Sequence, residues 1–242
     1  MTAMLSTNRI SKSFAGVPAL KDVSLDIRPN EVVGLIGEYG AGKSTLMRIR
    51  AGTHQPDGGT LMLDGKPLKL HNARDGAVHG IGMVFQEQSL LLNLSVAENI
   101  YLGQEDQFVR LGIMNWRAMR EAARRQLAKI GVDIDVTART SELTFAARQM
   151  VELAKALTLE ETVSRPLIIL LDEPTSVLSG SDIDVLFRRV RSLKSRASFV
   201  FVSHRLDEVL RISDRVYTMK DGQVVAEHQA ADVTGPELHE IM

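Results

Sequence analysis

Residues Gly37 to Ser44 read GEYGAGKS, a match to GxxxxGK[ST], the spacing of a phosphate-binding loop. Val32 to Ile36 before it is a short apolar run suited to a buried strand, and Ser44 to Ile49 after it has the composition of a helix. The motif therefore falls between the two elements its mechanism needs. Gly37, Gly40 and Gly42 let the backbone curl tightly and aim consecutive N–H groups and a helix N-terminus at a triphosphate. Lys43 is placed to reach the β and γ phosphates, and the Ser44 hydroxyl to ligate Mg²⁺. Glu38, Tyr39, Ala41 and Thr45 complete the candidate nucleotide-binding stretch. The competing reading is a glycine-rich turn with a coincidental Lys-Ser, and the strand-loop-helix context weighs against it.

A phosphate loop needs an acidic site for metal and water. Leu167 to Leu171 reads LIILL and ends in Asp172-Glu173, which places a carboxylate at the C-terminal end of a buried strand. Asp172 would hold Mg²⁺ through its water shell, and Glu173 could polarise the attacking water as general base. A strand that merely ends in surface charges is the plainer alternative, but five aliphatics followed by DEPT argue against it. His204 follows the apolar run Phe199 to Ser203 and could hydrogen-bond the γ-phosphate, keeping water and Glu173 in line.

The bulk properties are those of an ordinary globular chain. It has 242 residues, enough to bury a sizeable core, and a formal net charge of −1, which gives no electrostatic case for nucleic acid as a partner. It has no cysteine, which excludes a disulfide framework and cysteine-ligated zinc and is compatible with a reducing cytoplasm. The opening MTAMLSTNRISKSF lacks a secretion-signal pattern, and no run approaches the roughly 18 apolar residues of a membrane span. Any membrane role is expected to come through a partner.

Along the chain, Ser24 to Ile27 alternates as a half-buried strand would. Leu61 to Leu63, Asp64-Gly65 and Pro67 to Leu70 read as a hairpin, suggesting an antiparallel layer near the N-terminus. Between about residues 88 and 160 the pattern turns helical, with Trp116, Met119, Ala123, Leu127 and Ile130 on one stripe and Arg117, Arg120, Arg124 and Arg125 as a solvated face. Beyond residue 165, strands at Leu167 to Leu171, Phe199 to Val202 and Arg215 to Met219 alternate with helices at Ser181 to Leu193 and Leu206 to Ile212. That order predicts an α/β fold with a mostly parallel sheet. Asp221-Gly222 marks another turn before Val224 and Val225, and a short helix begins near Pro236.

The ordered set of phosphate loop, Gln86 in MVFQE, a segment near Leu143, the strand ending in DEPT, then SVLS and FVSH resembles the ATP-binding cassettes of ABC transporters from end to end. More narrowly, GTHQPDGGTLMLDGKPL, LSVAENIYLG, RQMVELAKAL and SHRLDEV resemble cassettes of bacterial ribose-, xylose- and galactose-type importers. The resemblance implies the P-loop ABC ATPase fold: a mostly parallel core sheet, an N-terminal antiparallel β layer and an inserted helical lobe at about 88–160. It implies that residues 1–242 are a single nucleotide-binding domain, the first cassette of a longer tandem protein. ATP and Mg²⁺ would be bound. Phe14 would stack on adenine beside Val17 and Ala19; a strand-end core phenylalanine is the plainer reading of Phe14. Gln86 would touch Mg²⁺ and sense the γ-phosphate as a catalytic and metal residue, and Ser176 to Ser179 would cross to the partner cassette. The implied partners are a second cassette, membrane permease subunits and, indirectly, a periplasmic or extracellular sugar-binding protein, with the chain peripheral at the cytoplasmic face of the inner membrane.

The sequence departs from the family where LSxGQ is expected, reading Leu143, Thr144, Phe145, Ala146, Ala147. In the family this signature closes over ATP held by the other cassette. Thr144 keeps a hydroxyl that can cap the next helix, Ala146 adds a methyl where backbone must come close, and Ala147 loses an amide. The expectation is a chain that holds ATP well and completes its partner's site poorly, leaving one composite site impaired. Tolerance of Ala146, a non-hydrolysing regulatory cassette and a soluble ABC ATPase outside transport stay open. A GTPase would need a guanine-reading NKxD segment, which is absent. Tyr39 stands where such cassettes commonly have Asn, and Arg50 where they have an aliphatic residue; both are expected to weaken folding or activity. Arg50, one turn after Leu46, would bring a charge to a buried side unless it snorkels or finds carbonyls.

Overall fold

Aliphatic runs without polar alternation need cover on both faces of their strands, and this requirement organises the computed structural model, which describes residues 3–85 and 89–242. The chain opens with β1 (Leu5–Phe14) and β2 (Val17–Ile27), then β3 (Val32–Gly37), the phosphate loop and α1 (Lys43–Arg50). β4 (Gly58–Leu63) and β5 (Lys66–Leu68) form the expected hairpin, with Asp64 and Gly65 both at positive φ, 48° and 76°, as a tight primed turn requires. α2 (Ala73–Val78), β6 (Ile81–Val84) and α3 (Val96–Ile100) lead to a small hairpin of β7 (Val109–Arg110) and β8 (Ile113–Met114), followed by α4 (Trp116–Lys129) and α5 (Phe145–Leu157). The remainder alternates: β9 (Leu167–Asp172), α6 (Gly180–Ser192), β10 (Ala197–Val202), α7 (Leu206–Ile212), β11 (Arg215–Lys220), β12 (Gln223–Gln229) and α8 (Gly235–Ile241).

These strands build a six-stranded sheet in the order β12-β11-β3-β10-β9-β6, parallel except for β12, and a four-stranded antiparallel sheet in the order β2-β1-β4-β5. The fold class is thus the α/β arrangement the sequence predicts. Successive residues of the central strands serve two cores. Ile169, Leu171, Phe199 and Phe201 face the helices, while Ile168, Leu170, Val200 and Val202 face α1 and the antiparallel sheet. That division explains why the runs show no period of two.

Two details differ from the sequence reading. The helical stretch is interrupted by the β7–β8 hairpin, because Leu111 and Gly112 both adopt positive φ, 51° and 77°, and close a two-residue turn that leaves Leu111 exposed. Trp116 stands half exposed instead of joining the buried stripe of α4. It is the first residue of the helix, beside the Asn115 cap, and lies past the end of the packed surface.

Two buried arginines sit at the junction of the sheets with opposite outcomes. Arg215 donates to Glu31 at 2.8 and 3.0 Å, to Asp26 at 3.0 Å, to Glu227 at 2.6 Å and to the Tyr217 hydroxyl at 3.0 Å, tying β11 to β2, to β12 and to the turn that leads into β3. Burial opposes the Asp26 charge, but hydrogen bonds from Arg215 and Tyr217 outweigh it and hold the carboxyl below its usual range. Arg50 is 0% exposed, and only Nη2 finds a partner, the Leu25 carbonyl at 3.2 Å; Nε and Nη1 have none among the described residues. Burial pushes its pKa down to about 10, so it stays charged at neutral pH with its donors unpaired.

Arg50→Leu should therefore raise stability by about 1–4 kcal/mol, read as a higher Tm in a thermal melt; an unchanged or lower Tm would contradict the assignment of Arg50 as a net cost. Because the folded pKa of Asp26 is depressed, its contribution is full above the unfolded value of about 3.9 and is lost as pH falls through the folded value. Asp26→Asn should cost about 1–3 kcal/mol at pH 7 and flatten the loss of stability on acidification, measured by denaturant titration at several pH values.

Candidate functional site

The C-terminal ends of β3, β9 and β10 lie side by side, with Val202 opposite both Leu35 and Asp172 in the parallel register. The phosphate loop, the acidic pair and His204 therefore emerge at one edge of the sheet, where ligands of open α/β sheets bind. In the loop, Gly37 has φ 149° and a Cβ there would stand 2.2 Å from the Met219 carbonyl; Gly42 has φ 96° and a Cβ would stand 2.5 Å from the Ala19 carbonyl. Both contacts are with backbone that cannot move aside cheaply, so these positions require glycine.

A cavity of about 190 Å³ opens here, lined by Ala19, Tyr39, Gly40, Ala41, Gly42, Lys43, Ser44, Thr45 and Glu173. Lys43 is buried and folds back over the loop, its Nζ donating to the carbonyls of Gly37 at 2.7 Å and Glu38 at 2.9 Å. Burial lowers its pKa against the pull of Glu173 and Asp172. Ser44 Oγ lies 3.4 Å from Asp172 Oδ1, so a hydroxyl and a carboxylate converge on one point, the oxygen donors Mg²⁺ prefers. Burial raises the Asp172 pKa, the Ser44 hydrogen bond opposes this and the Glu173 charge adds to it. Glu173 has φ 47°, a strained conformation for this residue type, held by its N–H to the Val202 carbonyl at 3.0 Å. Its Oε2 meets His204 Nδ1 at 3.0 Å, and the Tyr39 and His204 rings lie 5.7 Å apart, tilted by 35°.

Of the remaining sequence candidates, Phe14 and Val17 pair across the end of the β1–β2 hairpin and are exposed, outside the loop cavity. Phe14 is 44% exposed, which excludes the core reading; its ring meets His54 edge-on at 5.6 Å. Gln86 lies outside the described residues. Thr144 caps α5, its Oγ1 accepting the Ala147 N–H at 3.2 Å, and Arg148 braces the preceding segment on the carbonyls of Thr140 and Ser141 at 3.0 Å. Ala146 and Ala147 line a different cavity, of about 340 Å³, with Leu178 and Asp182, and take no part in this chain's own loop cavity. A larger cavity of about 400 Å³ between Asn93, Trp116, Arg120 and Arg139 shares none of the phosphate-site residues, so size alone would not find the site.

The residues 20–176 match the ABC transporter family model. The chain belongs to the ABC transporter family. It is similar to the ribose import ATP-binding protein RbsA of Corynebacterium glutamicum, 42% identical over 240 residues, covering 99% of this chain and 44% of that protein. Among solved structures it resembles an ATP-binding cassette of an ABC transporter in a twinned crystal form, at 27% identity and a TM-score of 0.86, covering 100% of this chain and 99% of that one. It also resembles a dimeric ATP-binding cassette in a post-hydrolysis state bound to ADP and Pi, at 26% identity and a TM-score of 0.78, covering 94% of this chain and 99% of that one. The chain spans about half the length of the curated relatives it matches, 44% and 47% for two of them. No helix among the described residues is long and apolar enough to cross a membrane.

One support of the candidate site escaped the sequence reading. Buried Glu208 accepts from Thr175 Oγ1 at 2.5 Å, Ser203 Oγ at 3.4 Å and Arg205 Nη1 at 2.8 Å, which fixes the backbone on both sides of His204 and beyond Glu173. The available signal was an acid sharing the buried side of a short helix with Val209 and Ile212.

The raised Asp172 pKa means that its carboxylate opposes folding once ionised: stability is full below the unfolded pKa and is lost as pH rises through the folded one. Asp172→Asn should stabilise the nucleotide-free cassette at pH 7 by on the order of 1 kcal/mol, with no gain at pH 3, while weakening Mg²⁺-dependent nucleotide binding. Paired melts at the two pH values and a nucleotide titration check both halves.

Proposed function

We propose that this cassette binds and hydrolyses Mg²⁺-ATP to drive import of a small sugar through a separate membrane permease. The observation that carries the reading is the convergence of Lys43, Ser44, Asp172, Glu173 and His204 on one cavity at the ends of three adjacent parallel strands. The resemblance to a ribose import protein supports the sugar.

In this reading the N–H groups from Gly37 to Thr45 cradle the phosphates, and Lys43 leaves its two carbonyls for the β and γ oxygens. Ser44 and Asp172, with Gln86, would hold Mg²⁺, which supplies neutralising charge for the terminal phosphates. Glu173 takes a proton from the attacking water, and His204, fixed at Nδ1 by Glu173, offers Nε2 to the γ-phosphate. Phe14, Val17 and Ala19 border the base. Thr144, Ala146 and Ala147 act on nucleotide held by a second cassette, since they stand apart from this chain's own loop cavity. The dimeric ADP-bound relative supports such pairing. The full assembly would then be a tandem or dimeric pair at the cytoplasmic face of the membrane, with permease subunits and a sugar-binding protein, and with one composite site impaired by the altered signature.

The test is ATP turnover by the purified chain as its concentration is varied, with nucleotide binding followed in parallel. Binding with little turnover, stimulated by a cassette bearing an intact LSxGQ, is the expected result, and Glu173→Gln should cut the stimulated rate by about 10²–10⁴-fold. Absence of nucleotide binding would overturn the reading; a rate rising faster than linearly with the chain alone would overturn the impaired-site part.

A further inference from the structure

Tyr39 is not needed by the phosphate cradle, which works through backbone N–H groups, and its neighbours Gly40, Ala41 and Gly42 are as small as the turn demands. Yet it puts a large ring, 81% exposed, at the mouth of the cavity. The ring is not idle there. It lies 5.7 Å from the His204 ring at 35°, a tilted stacking contact. The network of Thr175, Ser203, Arg205 and Glu208 holds the backbone around His204, and among the described residues the imidazole's hydrogen bond is to Glu173 and its ring contact is to Tyr39. A single hydrogen bond at Nδ1 restrains the ring's χ2 torsion less than a hydrogen bond and a ring contact together. The Tyr39 ring supplies that second contact.

From this geometry we infer that Tyr39 is a positioning residue for His204: its ring holds the imidazole plane so that Nδ1 stays on Glu173 and Nε2 remains the free atom facing the nucleotide. The inference rests on the ATP-hydrolysing reading for its catalytic consequence, while the contact itself is a matter of the two rings' geometry. It assigns a use to a side chain that the loop motif leaves unspecified. It also reverses the expectation that tyrosine at this position only weakens activity. The part of Tyr39 that matters is the ring, since the contact is between the two rings.

The experiment compares Tyr39→Asn and Tyr39→Phe with the unmodified chain. In the nucleotide-free protein, the His204 Hε1 resonance, assigned by its loss in His204→Gln, should move in Tyr39→Asn, where the ring current is gone, and stay near its original position in Tyr39→Phe. In turnover stimulated by a cassette with an intact signature, Tyr39→Asn should lower kcat about three- to tenfold with KM for ATP within about twofold, and Tyr39→Phe should restore kcat. An unmoved resonance in Tyr39→Asn, an unchanged or raised kcat in that variant, or a Tyr39→Phe variant that behaves like Tyr39→Asn would each overturn the inference. If the unmodified chain fails to bind ATP, or shows no turnover even with a cassette bearing an intact signature, the functional reading fails, and the resonance still decides whether Tyr39 positions His204.

Discussion

Parallel hydrogen bonding of β10 between β3 and β9 is the constraint on which everything at the site depends. Val202 stands opposite Leu35 on one side and Asp172 on the other, so the phosphate loop, the acidic pair and His204 leave the sheet at matched heights. A slip of one residue in either ladder would exchange the faces of every side chain beyond it. The register is locked because each strand feeds two cores, and a slip would turn both inside out. Precision at the site is thus a property of the aliphatic runs more than of the loop.

The site is built from groups that oppose folding. Lys43 and Asp172 are buried charges, and Glu173 sits in a left-handed conformation. The offset comes from elsewhere: two extended apolar cores and the Arg215 cluster, whose charges are matched and hydrogen-bonded. Arg50 differs from both classes. It is buried like the site residues but contributes no contact to the cavity, and it is charged like Arg215 but finds a single partner.

Much of this was legible in the sequence because the features concerned are local. A glycine at a fixed offset, an Asp-Gly between alternating segments and an aliphatic run ending in carboxylates each state their own geometry, and the loop, the hairpins and β9 followed from them. What stayed hidden depends on distant parts of the chain. No pattern says that β10 separates β3 from β9, that Glu208 gathers Thr175 and Ser203, or that Tyr39 reaches His204 across 165 positions of sequence. The β7–β8 hairpin was missed for another reason: Leu in the left-handed region is unfavourable on its own and is tolerated only because Gly112 completes the turn. Trp116 fits the helical period and still stands outside, since periodicity gives a direction around the helix and not where the packed surface ends.

Lys43, bent back onto the carbonyls of Gly37 and Glu38, bears on when the cost of dehydrating its ammonium is incurred. The fold itself removes most of that water, since Lys43 is buried among the loop and its neighbours. In the proposed nucleotide-binding reading, a phosphate would meet a cation already largely stripped of water, so that part of its dehydration cost falls on folding rather than on binding.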